Sequence, residues 1–402
     1  MPHSIWNVCL THDPALGGLY RATNDFSRAL DAPILSFDDG RRPRSDLTVL
    51  DHAVRIPCGT GPLARDCHVM ARAAAEAADA AIQDARLLVV HSMFRAHAPW
   101  AAGWAHAQRR RYWAVPHGCL DPWGLAHRGL AKRAWLTIHG RRFLADAERV
   151  VFSTGRALEK ARPWVRGDQT VVVHWPVETP ADDRRTEGRD RFRAAHGIPA
   201  DVPLLLFVGR LHAVKRPLET IDRFCRAATG AAHLVMVCGA GPIARDRLFA
   251  AIPASHAGRI HVVGPFQDAE LAAAYLASDG FVSLSYQENF GYAAAEAVAY
   301  GLPLVLSPGH DLAHDMPRTA SGHLACGWLL PDDSATTAAE AMSAWAGLAA
   351  GTGSARAGLE SLGSVGRAWA RETLGVARFR DVLQRLAGID VSSSPHTRGV
   401  GS

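Results

Sequence analysis

Two carboxylates, Glu288 and Glu296, stand eight positions apart in FVSLSYQENFGYAAAEAVAYGLPLVL, residues 281–306. An ionised carboxylate is an acceptor only, so a pair of them aimed at one place suits a ligand rich in hydroxyl groups, and hence sugars. The elements that must position them follow from the local pattern. The apolar run Phe281 to Leu284 predicts a buried strand, Gln287 to Gly291 the loop at its carboxyl end, and Ala293 to Tyr300 a helix stopped by Gly301. A second strand runs from Leu302 to Leu306. In an open α/β sheet such a loop lies in the crevice where ligands bind, and the free N–H groups of the helix favour a phosphorylated occupant. Glu288 would face one part of it and Glu296, about two turns along the helix, a part roughly 10 Å away. Each Glu alone also reads as a dipole-compensating or solvated charge.

A second segment strengthens the first. In LLLFVGRLHAVKRPLETIDRF the continuous apolar run Leu204 to Val208 predicts a strand buried on both faces, and an amphipathic helix starts near Pro217. Between them lie Arg210 and Lys215. A rigid guanidinium fork and a mobile ammonium on one strand-to-helix loop make a diphosphate clamp, with ordinary surface basicity as the alternative. Two glycine turns complete the set, Gly17 and Gly18 in DPALGGLY and Gly239 and Gly241 in CGAGP. Each is weak by itself, and CGAGP lacks the third glycine of a dinucleotide fingerprint.

In this order and spacing the four landmarks resemble those of retaining glycosyltransferases of the GT-B fold, in glycosyltransferase family 4, the glycosyl transferases group 1. A further block, PHGCLDPWGL from Pro116 to Leu125, is similar to one in a subset of these enzymes, many of which build bacterial surface polysaccharides. The resemblance runs from about residue 10 to about 385. It implies an α/β fold of two doubly wound Rossmann-like domains facing a central cleft, with a C-terminal helix crossing back to the first domain. It also implies roles. Glu296 would accept from the ribose of a nucleotide and Glu288 from hydroxyls of the donor sugar, without acting as a nucleophile. Arg210 and Lys215 would hold the diphosphate and neutralise the charge that grows on it as the sugar leaves. Backbone amides of Asn289, Phe290 and Gly291, and of Gly17 and Gly18, would help. Gly239, Gly241 and Phe266 of the VGPFQD loop fall on the nucleotide side.

His117 matches the first-domain histidine that sits beside the donor sugar in this family, a buried structural histidine being the other reading. His91, ending the strand Leu87 to Val90, faces the same cleft and is a candidate on the acceptor side. The implied partners are a nucleotide-sugar donor and a glycan or lipid-linked acceptor. No cofactor and no metal are implied, because Arg210 and Lys215 do the work of a divalent ion. His310 and His314, four apart, have a spacing that can share a metal on a helix, although no metalloprotease glutamate accompanies them.

Strand and helix signals alternate along both halves. The first half offers strands at Ser4 to Leu10, Ala32 to Phe37, Leu87 to His91, Tyr112 to Pro116, Arg149 to Ser153 and Thr170 to His174. The second offers Leu204 onward, His233 to Cys238, His261 to Val263, Phe281 to Leu284, Leu302 to Leu306 and Gly327 to Leu330. A hydrophilic stretch between the halves sets the expected domains at 1–178 and 179–372, a helix at 373–388 and a disordered tail at 389–402. A last helix over Ser364 to Leu386 is expected to make the crossing.

Composition fits a soluble globular protein, with 402 residues, 48% of them hydrophobic and 21% charged. Seven cysteines, all scattered singly, indicate a reduced, cytoplasmic chain, and no leader or membrane-spanning run is recognised. The net charge of +5 concentrates between Arg109 and Arg142, where eight Arg or Lys stand against one acid, Asp121, with Trp113, Trp123, Trp135, Leu130 and Phe143 among them. Read as a helical stretch, this basic and aromatic region suits peripheral contact at the inner face of the cytoplasmic membrane. No nucleic-acid motif accompanies it. Two other functions remain open: a sugar-nucleotide epimerase of the same fold, and a non-catalytic nucleotide- or sugar-binding subunit.

Overall fold

The computed structural model describes residues 3–38, 53–57, 70–126, 129–180 and 185–389. The expected tail from 390 on, Cys58, Cys67 and Arg128 lie outside these residues. Two compact units divide the chain, Met1–Pro176 with Val376–Ser402, and Val177–Gly375.

The first unit is built on a seven-stranded parallel sheet. Its strands are β1 (Ile5–Cys9), β2 (Ile34–Asp38), β3 (Ala53–Pro57), β4 (Leu87–His91), β5 (Arg111–Val115), β6 (Arg149–Phe152) and β7 (Thr170–Val172), in the order β3-β2-β1-β4-β5-β6-β7. Strand β4 is completely buried because both faces of a parallel sheet are covered by helices, and LLVVH supplies the continuous apolar run this demands. Edge strand β3, mostly exposed, carries no such run, and the sequence reading did not include it.

The second unit carries six parallel strands, β8 (Leu204–Arg210), β9 (His233–Gly239), β10 (Ile260–Val263), β11 (Gly280–Ser283), β12 (Leu304–Leu306) and β13 (Gly327–Leu329), in the order β10-β9-β8-β11-β12-β13. Both sheets therefore reverse their winding once, between β1 and β4 in the first and between β8 and β11 in the second. Such switch points open a crevice at the carboxyl ends of the two central strands.

Two expectations need correction. Residues 109–142 do not form a helical stretch. Arg109 lies in a turn, Arg110 links it to the next strand, Arg111 opens β5, and Trp113 is fully buried in that strand. Helical turns follow only over Pro122–Ala126, Gly129–Trp135, Leu136–Gly140 and Arg141–Ala145. The expected last helix is also two, Ser354–Thr373 and Val376–Ala387. They part at Leu374, whose side chain is fully buried and whose carbonyl accepts from Val177 N at 2.9 Å, and at Gly375 behind it. Helix Val376–Ala387 packs on helix Gly18–Leu30 through Phe379 against Phe26, and Gln384 Nε2 donates to Ala29 O at 3.1 Å. No described helix is long and apolar enough to cross a membrane.

One buried ion pair anchors the second sheet. Arg193, 1% exposed on helix Arg185–Ala195, reaches Asp279 Oδ2 at 2.9 Å and the carbonyls of Ala277, Pro199, Ala200 and Val202. Asp279 Oδ2 also accepts from Leu204 N at 2.9 Å, and its other oxygen from Arg189 at 3.2 Å. Asp279→Ala would leave the guanidinium buried without its counter-charge. A loss of about 3–5 kcal/mol is expected, seen as an earlier urea unfolding midpoint for the second unit. An unchanged midpoint would show that the five-way contact carries no net stability.

Candidate functional site

In the second unit the carboxyl ends of β8 and β11 bring Arg210, Lys215 and Glu288 into one region. Arg210 is the last residue of β8, and its exposed side chain bonds to no described residue. A single 3₁₀ turn, Ala213–Lys215, follows it. The ring Nδ1 of His212 caps this turn by accepting from Val214 N at 3.1 Å. The turn ends by placing Lys215 Nζ on Oε1 of Glu288, both side chains being largely covered. Burial by itself would raise the Glu288 carboxyl. The Lys215 ammonium, with His310 and the Ser285 hydroxyl, outweighs it and holds the pKa below the ordinary value. Glu288 is thus a carboxylate at neutral pH.

The backbone around Glu288 is fixed as firmly. Its N–H donates to Gly309 O at 2.8 Å, and its carbonyl accepts from Asp311 N at 2.9 Å. Gly291 follows at φ 72°, a left-handed conformation that starts helix Tyr292–Ala299 and favours glycine. A Cβ on Gly291 would lie 3.3 Å from Glu288 Cβ and 3.5 Å from His310 Nδ1. His310, 2% exposed, meets Ser283 Oγ with Nε2 at 2.9 Å, while its Nδ1 is buried and bonds to no described residue. Burial lowers its pKa to about 4, so the ring is neutral. The metal reading of His310 and His314 is corrected here. The segment Asp311–His314 is a short 3₁₀ turn that His310 merely precedes, and a spacing of four does not align two side chains on such a turn.

Glu296 is oriented from another element. Tyr275, buried in helix Asp268–Ala277, donates to Glu296 Oε2 at 2.8 Å, with Ala293 O also in reach at 3.2 Å. Asn289 keeps a buried Oδ1 that accepts from no described residue, and the Phe290 ring is buried against Tyr292, which leaves its backbone as the part that can meet a ligand. Gly241 is glycine for closeness: a Cβ there would lie 2.2 Å from Leu211 O, in the turn where Ile243 N donates to that same carbonyl. Gly239 is less constrained, its Cβ position meeting Arg210 Cγ at 3.6 Å and Cα at 3.8 Å, both ordinary contacts. Phe266 packs on Phe192 and His196, and Arg245 holds its loop by donating to Gly264 O and Val262 O.

The remaining predicted residues belong to the first unit. Gly17, at φ 60° with open space where a side chain would stand, precedes Gly18, the first residue of helix Gly18–Leu30. His117 follows β5, half-buried and at φ 49°, an uncommon conformation for a residue with a side chain. His91 is corrected. It is fully buried at the end of β4 with both ring nitrogens engaged, Nε2 with Asn7 Oδ1 at 3.0 Å and Nδ1 with His117 Nε2 at 2.9 Å, so it offers nothing to an acceptor. Sequence reasoning missed Tyr275, the packing role of His310, and Asn7. Only Asn7 left a signal, a polar residue in the middle of the apolar strand IWNVC.

Comparison with known proteins identifies the fold. Sucrose-phosphate synthase from Thermosynechococcus elongatus superposes with a TM-score of 0.74 at 20% identity, covering 97% of this chain and 99% of that one. HepE from Anabaena, solved with UDP and glucose, gives 0.72 at 14% identity, covering 96% and 99%. The fold is therefore GT-B, with two Rossmann-like domains. Residues 188–346 match the family model of glycosyl transferases group 1. Among curated relatives, D-inositol 3-phosphate glycosyltransferase of Corynebacterium efficiens is 34% identical over 134 residues, 32% of this chain and 31% of that protein. Its counterpart in Mycobacterium leprae is 28% identical over 243 residues, 57% and 54%. The chain thus spans between a third and just over half of the length of the curated relatives it matches.

Replacing Lys215 by Met leaves the Glu288 carboxylate covered and without its cation. A depressed native pKa contributes stability that is present above the ordinary carboxylate value and lost as pH falls through the lowered one. Lys215→Met should therefore cost about 1–3 kcal/mol near neutral pH, and the difference from wild type should shrink as pH drops below the carboxylate range. A difference independent of pH would remove the ion pair from the account.

Proposed function

We propose that this chain is a retaining, nucleotide-diphosphate-sugar-dependent hexosyltransferase of family 4 that transfers to a glycan or lipid-linked acceptor in polysaccharide biosynthesis. The observation that carries the reading is the Lys215–Glu288 pair at the switch point of the second sheet, with exposed Arg210 beside it. Two cations on strand-end loops suit a diphosphate, and they stabilise the charge that develops on it as the bond to the sugar breaks. Glu288, kept ionised, accepts from hydroxyls of the sugar, and Glu296, turned by Tyr275, from those of the ribose. HepE, solved with UDP and glucose, binds ligands of this class and supports the assignment. The acceptor hydroxyl attacks from the face the diphosphate leaves, and a diphosphate oxygen takes its proton. No metal enters this account.

The donor reading is tested by thermal shift with UDP, GDP, ADP and NAD. A ligand that binds only the native state at 100 times its Kd adds about 2.7 kcal/mol, so one nucleoside diphosphate should raise the midpoint and Glu296→Ala should abolish the rise. A response to NAD alone, or to none of the four, would overturn the assignment. Incubating the responding nucleotide's sugar without acceptor separates transfer from epimerisation, since an epimerised product would appear only in the second case.

We further propose a peripheral membrane contact on the first unit, over the helical turns Pro122–Ala126, Gly129–Trp135, Leu136–Gly140 and Arg141–Ala145, where Trp123, Leu130 and Ile138 are 49, 86 and 69% exposed among Arg133, Arg141 and Arg142. Apolar anchors ringed by cations suit an anionic bilayer surface. The chain should sediment with phosphatidylglycerol vesicles at low salt, and Leu130→Asp with Ile138→Asp should release it. Absence of sedimentation would reject the contact.

A further inference from the structure

The two imidazoles of the first unit form a chain whose hydrogens can be assigned from its far end. Asn7 sits fully buried in the centre of β1, with Nδ2 3.3 Å from the carbonyl of Ala32. A carbonyl only accepts, so the amide must turn its NH₂ toward Ala32, and its Oδ1, an acceptor, faces Nε2 of His91 at 3.0 Å. His91 must then carry its hydrogen on Nε2. Burial pushes the His91 pKa well below its ordinary value, His117, His97 and His12 adding to the effect, so the ring is neutral and its Nδ1 is bare. That Nδ1 meets Nε2 of His117 at 2.9 Å, and a hydrogen bond there needs the hydrogen on His117. Burial lowers His117 to about 3, so it too is neutral. One hydrogen on Nε2 leaves its Nδ1 as a lone pair, bonded to no described residue.

We propose that Asn7 and His91 are positioning residues that lock His117 in the Nε2–H tautomer, so that this ring meets a ligand as a hydrogen-bond acceptor. A hydroxyl or N–H of the ligand is what such an atom takes, and a phosphate or carboxylate oxygen is what it turns away. The assignment gives a reason for a buried asparagine in a central strand, where a polar side chain costs stability unless every group is paired. It also gives a reason for the left-handed backbone of His117, which brings the ring over His91, with ring centroids 5.2 Å apart, and beside Trp175. Phe26 also packs on His91 in a T-shaped contact, with ring centroids 5.1 Å apart. That the ligand is a sugar hydroxyl rests on the proposed transferase function, whereas the tautomer itself does not.

The test is long-range ¹H–¹⁵N correlation on full-length protein labelled at histidine nitrogens, with His117 assigned from His117→Gln. Wild type near neutral pH should show His117 protonated at Nε2 and bare at Nδ1. Asn7→Leu removes the acceptor, freeing His91 to carry its hydrogen on Nδ1 and donate, and His117 should invert to Nδ1–H. Asn7→Asp, which keeps an acceptor opposite His91, should retain the wild-type pattern. A wild-type His117 that is Nδ1–H or doubly protonated, or one unmoved by Asn7→Leu, overturns the proposal. The wild-type spectrum decides even where Asn7→Leu does not fold. Nucleoside diphosphate binding through the second unit should survive Asn7→Leu unchanged. Its failure in wild type would count against the transferase reading and leave the tautomer result standing.

Discussion

The buried contact between Arg193 and Asp279 sets what the second unit can build. Asp279 immediately precedes β11, and its carboxylate also receives the first N–H of β8. One side chain thus ties the starting ends of two central strands that are 75 residues apart in sequence. Strands rise about 3.3 Å per residue, so once the starting ends are level, the lengths of β8 and β11 decide where Arg210 and the Glu288 loop emerge. Trp345 adds to the constraint by donating Nε1 to Asp279 O at 3.2 Å, and Gly280 leaves room for it, since a Cβ there would lie 2.1 Å from that nitrogen. The chemistry at one end of the sheet is held by packing and charge at the other.

Burial acts on the ionisable groups of the two units in opposite directions, and the neighbours decide. At Glu288 desolvation opposes the charge, but an ammonium in direct contact wins and the carboxylate stays ionised. At His91 and His117 desolvation acts with no described acid offsetting it, and both rings stay neutral. The result is one region equipped with fixed charges and another equipped with neutral donors and acceptors of assigned direction. His310 belongs to the second type although it stands beside the charged pair. Glu288 raises its pKa and Lys215 lowers it, and burial leaves it neutral.

Much of this was legible in the sequence because parallel strands announce themselves. Runs such as LLLFV and LLVV have no polar residue to spare, and twelve of the thirteen strands among the described residues follow from them or from shorter runs like them. The exception, β3, lies at the sheet edge with only Ile56 buried in its alternation, so no continuous run marks it. The landmark residues were legible for a related reason: a charged residue directly after a buried strand sits at the sheet's carboxyl edge. What was not legible is contact between distant positions. Tyr275 lies 21 residues before Glu296 and looks like one more residue in an alanine-rich helix. His91 reads as a residue aimed at the crevice until Asn7 and His117 are seen to take both of its nitrogens. The basic stretch misled because charge counts carry no direction. Trp113 and Leu130 look alike as large apolar residues among arginines, yet one is buried in β5 and the other is 86% exposed.

Similarity of fold at 14 to 20% identity fits the same division of labour. A doubly wound sheet demands apolar strands, but many apolar residues satisfy it, so core positions drift while the topology stays. The groups that cannot drift are those whose type and geometry are both used. Lys215 must be a cation because Glu288 is a buried anion, and Gly241 must lack a side chain because Leu211 O occupies its place. Asn7 must accept on one side and donate on the other because His91 and Ala32 O require both. Such residues mark a site more securely than any strand that carries them, since each is defined by what its neighbour would lose.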